Sequence, residues 1–360
     1  MLRMRFWGFA VVTLALGACG DDGNTTVDAP TGGGDAVDAP DIDAPIDAPL
    51  APANLMATGL CADPACATIV AANKEYGVRF PLYSDGSLKR RWISIPTGTQ
   101  IDTSNMNHWK FPVGTKIWKQ FSVTTTRVET RYMTKVLADD SMPGSWFFAA
   151  YEWNAGQTDA TLWATAGVQN ANGTTHDIPS RANCRRCHEQ VPGRVLGLGA
   201  IQSDYQAPLG GLDLSDMVSQ NMLTAPPSAP AVAGDPYFPW PVAATDVDKA
   251  AFGYLHGNCG GCHNPTSAVF SGLSSNMDLR LDVTKLGTVA MIPARATTLN
   301  VNGSVTGLNG PIVAPGDSAS SVMITRMSSL VFPVKMPEIG TEVTDTAGLA
   351  AVSAWIDQPP

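Results

Sequence analysis

Two short runs constrain this chain more than anything else in it: Cys184-Arg185-Arg186-Cys187-His188 and Cys259-Gly260-Gly261-Cys262-His263. Both read C-x-x-C-H. Two thiols at this spacing, with an imidazole directly after the second, are what attaches a c-type haem. The thiols add across the vinyl groups and the histidine takes one axial position of the iron. With 7 Cys and 5 His in 360 residues, chance supplies on the order of 0.002 such matches. A disulfide or a zinc site is the competing reading. A four-cysteine zinc site requires the two pairs to converge, and it leaves both adjoining histidines as coincidence. The expectation is two covalently bound haem c groups, attached at Cys184, Cys187, Cys259 and Cys262, with His188 and His263 on the irons.

Each iron needs a second axial group. After His263 the methionines are Met277, Met291, Met323, Met327 and Met336. Met323 and Met327 are four apart in a helical pattern, as core residues are. Met336 lies between Pro333 and Pro337, and a residue before proline is pushed out of helical geometry. Met336 is therefore expected opposite His263, a pairing that raises the reduction potential. For the first haem the candidates are Met217, Met222 and His256. Both methionines fit an amphipathic helix core. His256 precedes His263 by seven residues, roughly 10 Å along a helix. That favours the first iron, or a propionate, over its own haem, with a structural hydrogen bond as the alternative for His256. His176, in a Gly/Thr-rich turn, and His108 are expected at the surface.

The N-terminus bears on compartment. Arg3 and Arg5 precede an apolar run, residues 6–16, too short for a permanent span. Leu16-Gly17-Ala18-Cys19 follows, the pattern of a lipoprotein signal in which Cys19 is lipidated; an ordinary cleaved secretory signal is the alternative. Either implies an exported, periplasmic protein, and lipidation implies anchoring, with the outer membrane expected. Cys61 and Cys66 then remain, and in an oxidising compartment they read as a local disulfide, with two buried thiols as the alternative. Residues 21–50 repeat Asp, Ala and Pro without an aromatic residue, so they cannot build a core. The chain has 23 basic and 32 acidic residues, and its first 50 hold 2 and 8 of these, leaving 21 against 24. A near-neutral body argues against nucleic-acid binding.

The body divides by character. Residues 127–136 alternate Val128, Thr130, Tyr132, Thr134 and Val136 with Arg127, Glu129, Arg131 and Lys135, a half-buried strand. "WISI" (92–95), "KIWKQFSV" (116–123) and "SWFFAAYEW" (145–153) are further strands. Six of nine tryptophans fall between Trp92 and Trp163, a density that suits a sandwich core or a ligand groove. Helices are expected around each motif and over residues 212–222, 246–257, 318–330 and 345–355. The expected fold class is α+β: a mainly-β, sandwich-like domain followed by an α-helical di-haem cytochrome c region. The expected boundaries are 1–19 signal peptide, 20–54 tether, 55–179 β-domain, 180–245 first haem region and 246–360 second cytochrome c domain.

Together these stretches resemble a family of bacterial di-haem c-type cytochromes of the cell envelope. The resemblance runs from about residue 75 to 357. It rests on "FPLYSDGSLKRRWISIP", "WKFPVGTKIWKQF", "RVETR", "YEWNAGQTDATL", "IPSRANCRRCH", "YLHGNCGGCHNP", "APGDSASSVMITRM" and "MPEIGTEVTD". It implies haem binding and electron transfer between envelope redox proteins. The family has a second proline after the methionine where this chain has Glu338. The competing function is a di-haem peroxidase or oxidase with one open iron. A third reading gives residues 55–179 a carbohydrate- or protein-docking role through their tryptophans.

Overall fold

The computed structural model describes residues 51–163, 166–206, 211–270, 276–303 and 307–359. The expected signal peptide, lipidated Cys19 and most of the tether lie outside them. Six strands form one antiparallel sheet in chain order: β1 (Lys74–Glu75), β2 (Leu88–Ser94), β3 (Lys116–Val123), β4 (Thr126–Lys135), β5 (Trp146–Trp153) and β6 (Ala160–Leu162). Aromatic and β-branched residues recur along β3 to β5, which suits a pleated surface packed on its faces. The β3–β4 register shifts at Phe121/Ser122, a local irregularity in the ladder.

Alternation gives the sheet two distinct faces. Trp92, Trp118, Tyr132 and Tyr151 point one way and pack with Leu55 and Leu60 of the preceding chain. There Trp118 donates Nε1–H to Thr58 Oγ1 at 2.8 Å, and a disulfide joins Cys61 and Cys66 beneath the same cluster. The other face carries Ile93, Ile117, Met133 and Phe148, which pack with Leu198, Leu212, Leu214 and Met217 from the motif-bearing half.

Seven α-helices occur among the described residues: α1 (Arg181–His188), α2 (Ala200–Ser203), α3 (Leu214–Ser219), α4 (Asp246–Asn258), α5 (Pro293–Thr298), α6 (Val322–Ser328) and α7 (Thr346–Ile356). Thr245 and Asp248 form a capping box at the start of α4, and Asp345 caps α7. The two pack together, with the Phe252 and Trp355 rings 5.1 Å apart.

This architecture corrects the expected fold class. Among the described residues no second sheet faces the first, so the β part is not a sandwich; the N-terminal segment and the C-terminal half cover its faces instead. Nor is the C-terminal half an α-helical cytochrome region. Its helices are short, and turns and loops carry most of the chain between them. Eight prolines between α1 and α4 explain part of this, since proline removes a helix hydrogen bond and clashes with the preceding turn. The half-buried reading of β4 is also corrected, because residues on both its sides are buried, Glu129 and Lys135 included. The tryptophans are core: Trp92, Trp118 and Trp153 are fully buried, and Trp109 and Trp146 nearly so.

Gly348 on α7 lies against the Tyr254 ring of α4, where an added Cβ would sit 2.1 Å from Tyr254 Cε2. Gly348→Val should therefore prise the two helices apart and cost about 1–3 kcal/mol. Chemical denaturation of the purified protein checks this, and an unchanged midpoint would contradict the packing.

Candidate functional site

The first motif occupies α1. Ser180 caps the helix by accepting from the Asn183 N–H, and the helical repeat brings Cys184, Cys187 and His188 to one side. His188 Nδ1 lies 2.6 Å from the Arg194 carbonyl oxygen and donates to it. Arg194 adopts φ 58°, a left-handed conformation uncommon for a residue with a side chain. Its guanidinium fixes it there by donating to the carbonyls of Asp140 and Glu189 at 2.8 and 2.6 Å. With its proton held on Nδ1, the ring keeps a free lone pair on Nε2, as a metal ligand must. Burial pushes the imidazole down to about 4, so it is neutral.

The second motif begins where α4 ends. Cys259 is the C-cap residue, and the N–H groups of Cys262 and His263 both return to the Cys259 carbonyl, at 3.0 and 2.9 Å. The motif is a turn, not a stretch of helix. Its two glycines are required by packing. A Cβ on Gly260 would lie 2.9 Å from the His256 carbonyl oxygen, and one on Gly261 3.0 Å from Leu196. Burial pushes His263 down to about 4 as well.

The two motifs meet. The Cys187 and Cys262 sulfurs are close enough to interact, which lowers the Cys187 thiol and raises that of Cys262. Burial alone pushes Cys259 up to about 12. Around this contact Asn264 Nδ2 donates to the Gln190 carbonyl at 3.4 Å, and Ser267 Oγ to Gln190 Oε1 at 2.8 Å. All four thiols line one cavity of about 850 Å³, near the top of the roughly 300–1,000 Å³ range of small-molecule sites. All 5 histidines and Met336 line it too. Two buried polar atoms of its wall, Trp109 Nε1 and His263 Nδ1, have no hydrogen-bond partner. Such atoms are rare in native proteins and call for an explanation such as a bound group. Among the described residues no three His, Cys, Asp or Glu side chains are grouped to hold a metal ion by themselves, so the thiols are not arranged as a zinc site.

The remaining sequence candidates separate cleanly. Arg326 of α6 holds the Met336 loop by donating to the Val334 and Pro333 carbonyls at 3.0 and 3.1 Å, and its own carbonyl accepts from the Met336 N–H at 3.0 Å. Glu338 forms a close ion pair with Arg186, which lies between the first motif's cysteines. Met217 is fully buried, and Met222 packs on the same cluster; neither lines the cavity. His256 Nδ1 accepts from the Leu281 N–H at 3.0 Å. That bond puts the ring proton on Nε2, and a protonated nitrogen is a donor, not an iron ligand. The axial role expected for His256 on the first haem is therefore at odds with its hydrogen bonding.

Two surface expectations are corrected. His108 lines the cavity and accepts on Nε2 from Arg280 Nη1 at 3.1 Å. His176 is 3% exposed, with Nε2 2.7 Å from Glu129 Oε1 and its ring 5.0 Å from Phe121. Sequence reasoning also missed Arg91, Lys119, Glu129 and Arg131 as residues near the site. Their alternation with apolar residues is the pattern of a solvent face, and here that face is covered.

Comparison of the chain with protein-family models, with curated proteins and with solved structures finds no match.

Glu129 is fully buried between Arg131, at 2.5 Å, and His176. Burial alone would raise its carboxyl, but the Arg131 charge and the His176 and Arg131 hydrogen bonds outweigh it and hold the group below its ordinary value of 4.5. A depressed carboxyl stabilises the fold above its unfolded pKa, and this is lost as pH falls through the folded value. Glu129→Gln should cost roughly 1–3 kcal/mol at pH 7, because it leaves the half-buried Arg131 guanidinium without its anion. The gap to the native protein should shrink below pH 4.5. Urea denaturation at both ends of that window checks it, and a gap independent of pH would show that the carboxylate charge is not what stabilises the pair.

Proposed function

We propose that the chain is a di-haem c-type cytochrome that carries electrons in the cell envelope. What carries this reading is that both C-x-x-C-H motifs, tied through Gln190, Asn264 and Ser267, line one cavity together with Met336. Cys184, Cys187 and His188 would hold one haem, and Cys259, Cys262, His263 and Met336 the other. When bound, the haem supplies a one-electron change at iron; the protein supplies ligands, burial and spacing. The residues fit that group. His188 is neutral, with a free Nε2 fixed by Arg194. The thiols face the cavity rather than a partner metal. The Met336 loop is tied to α6 by Arg326 and to the first motif by Glu338. Attachment points in contact keep the electron's path between the two groups short. The lipid anchor at Cys19, the outer-membrane location and the redox-protein partners belong to this same proposal.

One observation favours a second reading, a di-haem peroxidase with an open iron. None of the three sequence candidates fits as the sixth ligand of the first haem, since Met217 and Met222 are core and His256 presents an N–H donor. Such a donor suits acid–base work beside an open iron.

The test is to purify the protein from a host that attaches haem and to count it. The expected result is two haems per chain. Replacing Cys184 and Cys187 by Ala, or Cys259 and Cys262, should leave one. Met336→Ala should convert one haem from low spin to high spin in the ferric EPR spectrum. Absence of covalent haem overturns the reading. A native high-spin haem that reacts with peroxide favours the enzyme.

A further inference from the structure

One feature of the cavity wall is unused by the haem ligands. Arg91 of β2 lies directly opposite Lys119 of β3, and Lys119 directly opposite Arg131 of β4. Opposite residues point to the same side of a sheet, with Cβ atoms about 4.5–5.5 Å apart. The three cations therefore stand in a row, and all three line the cavity. On this face the row is flanked on one side by Ile93, Ile117 and Met133 and on the other by Lys89, Phe121 and Glu129.

Such a row is costly. Like charges directly opposite destabilise a sheet, and buried charges need partners. Arg131 has one in Glu129. Among the described residues Arg91 and Lys119 form no ion pair. Arg91 is 8% exposed. Lys119 lies 5.0 Å from the centre of the Phe121 ring, and burial, then the charges of Arg91 and Arg131, push its ammonium well below the ordinary lysine range. Two cations are left without an anion, and a ligand bearing two carboxylates would neutralise both.

The row sits beside the first motif. The charge of Arg131 is felt at Cys184 and Cys187, and those of Lys119 and Arg131 at His188. A haem carries two propionate carboxylates. We propose that Arg91, Lys119 and Arg131 form a carboxylate-binding row on the sheet that receives the propionates of the haem attached at Cys184 and Cys187. This rests on the haem reading above. The sheet is then a functional wall, which orients the cofactor and sets the charge around it. A diffusible dicarboxylate has the same chemistry and is the rival source.

The test uses the haem-loaded protein, with covalent haem counted first so that failure of the haem reading is seen separately. Lys119→Gln and Arg91→Gln are compared with the native protein by resonance Raman spectroscopy and by potentiometric titration. The propionate-bending band should shift in each variant. The potential of the first haem should fall, because losing a nearby cation favours the ferric state. Should Arg91→Gln not accumulate with haem, Lys119→Gln carries the test alone. Unchanged bands and potentials overturn the proposal. The native protein is also titrated with succinate, which should have no effect. A saturable shift in potential that Lys119→Gln abolishes would assign the row to a diffusible dicarboxylate and overturn the propionate assignment.

Discussion

The junction of the two motifs, tied by Gln190, Asn264 and Ser267, is the point from which the rest of the site is organised. It brings two segments about seventy-five residues apart to a common wall, and a small polar lattice holds them there. Gln190 accepts from Asn264 through its backbone and from Ser267 through its side chain. Asn264, itself fully buried, also donates to the Gly260 and Gly261 carbonyls. Substituting any one of these groups would leave a buried donor or acceptor unmade, which costs more than a typical hydrogen bond contributes. The glycines of the second motif follow from the same closeness, since no side chain fits against Leu196 and the His256 carbonyl.

Once the motifs are joined, the sheet must provide the opposite wall, and it does so with the face that carries its charges. Glu129 and Arg131 neutralise each other there, with His176 against the same carboxylate oxygen. The strands keep their alternation there, so charges that would ordinarily meet water meet the cavity instead. The Met336 loop closes another side. Arg326 holds its backbone, and the Arg186–Glu338 pair ties it to α1. Glu338 thus has a specific partner in Arg186.

Much of the local structure was legible. The runs rich in aromatic and β-branched residues form β2 to β5, and α7 begins at the Asp345 cap. Length of helix was not legible. Propensity and period suggested a helical cytochrome region, whereas prolines and the cavity's demand for loops left short helices joined by turns. The cysteines and motif histidines were legible because their chemistry lies in consecutive residues. His108 and His176 were misplaced because a polar segment looks exposed unless its covering is known, and both are covered by residues far away in the chain: Arg280 for one, Glu129 for the other.

The sequence by itself determined which thiols, imidazoles and thioether are available to the cavity. Two C-x-x-C-H runs, a methionine held between prolines and the alternation of the strands are local patterns, written within a few residues. Tertiary structure decided how those pieces face one another. It decided that the motifs touch, that His256 accepts on Nδ1 from Leu281, and that the charged side of the sheet is a cavity wall rather than a surface. The physical reason is that tautomer, burial and charge pairing depend on groups distant in sequence. A period of two specifies only that a strand has two faces, and packing determines what each face meets.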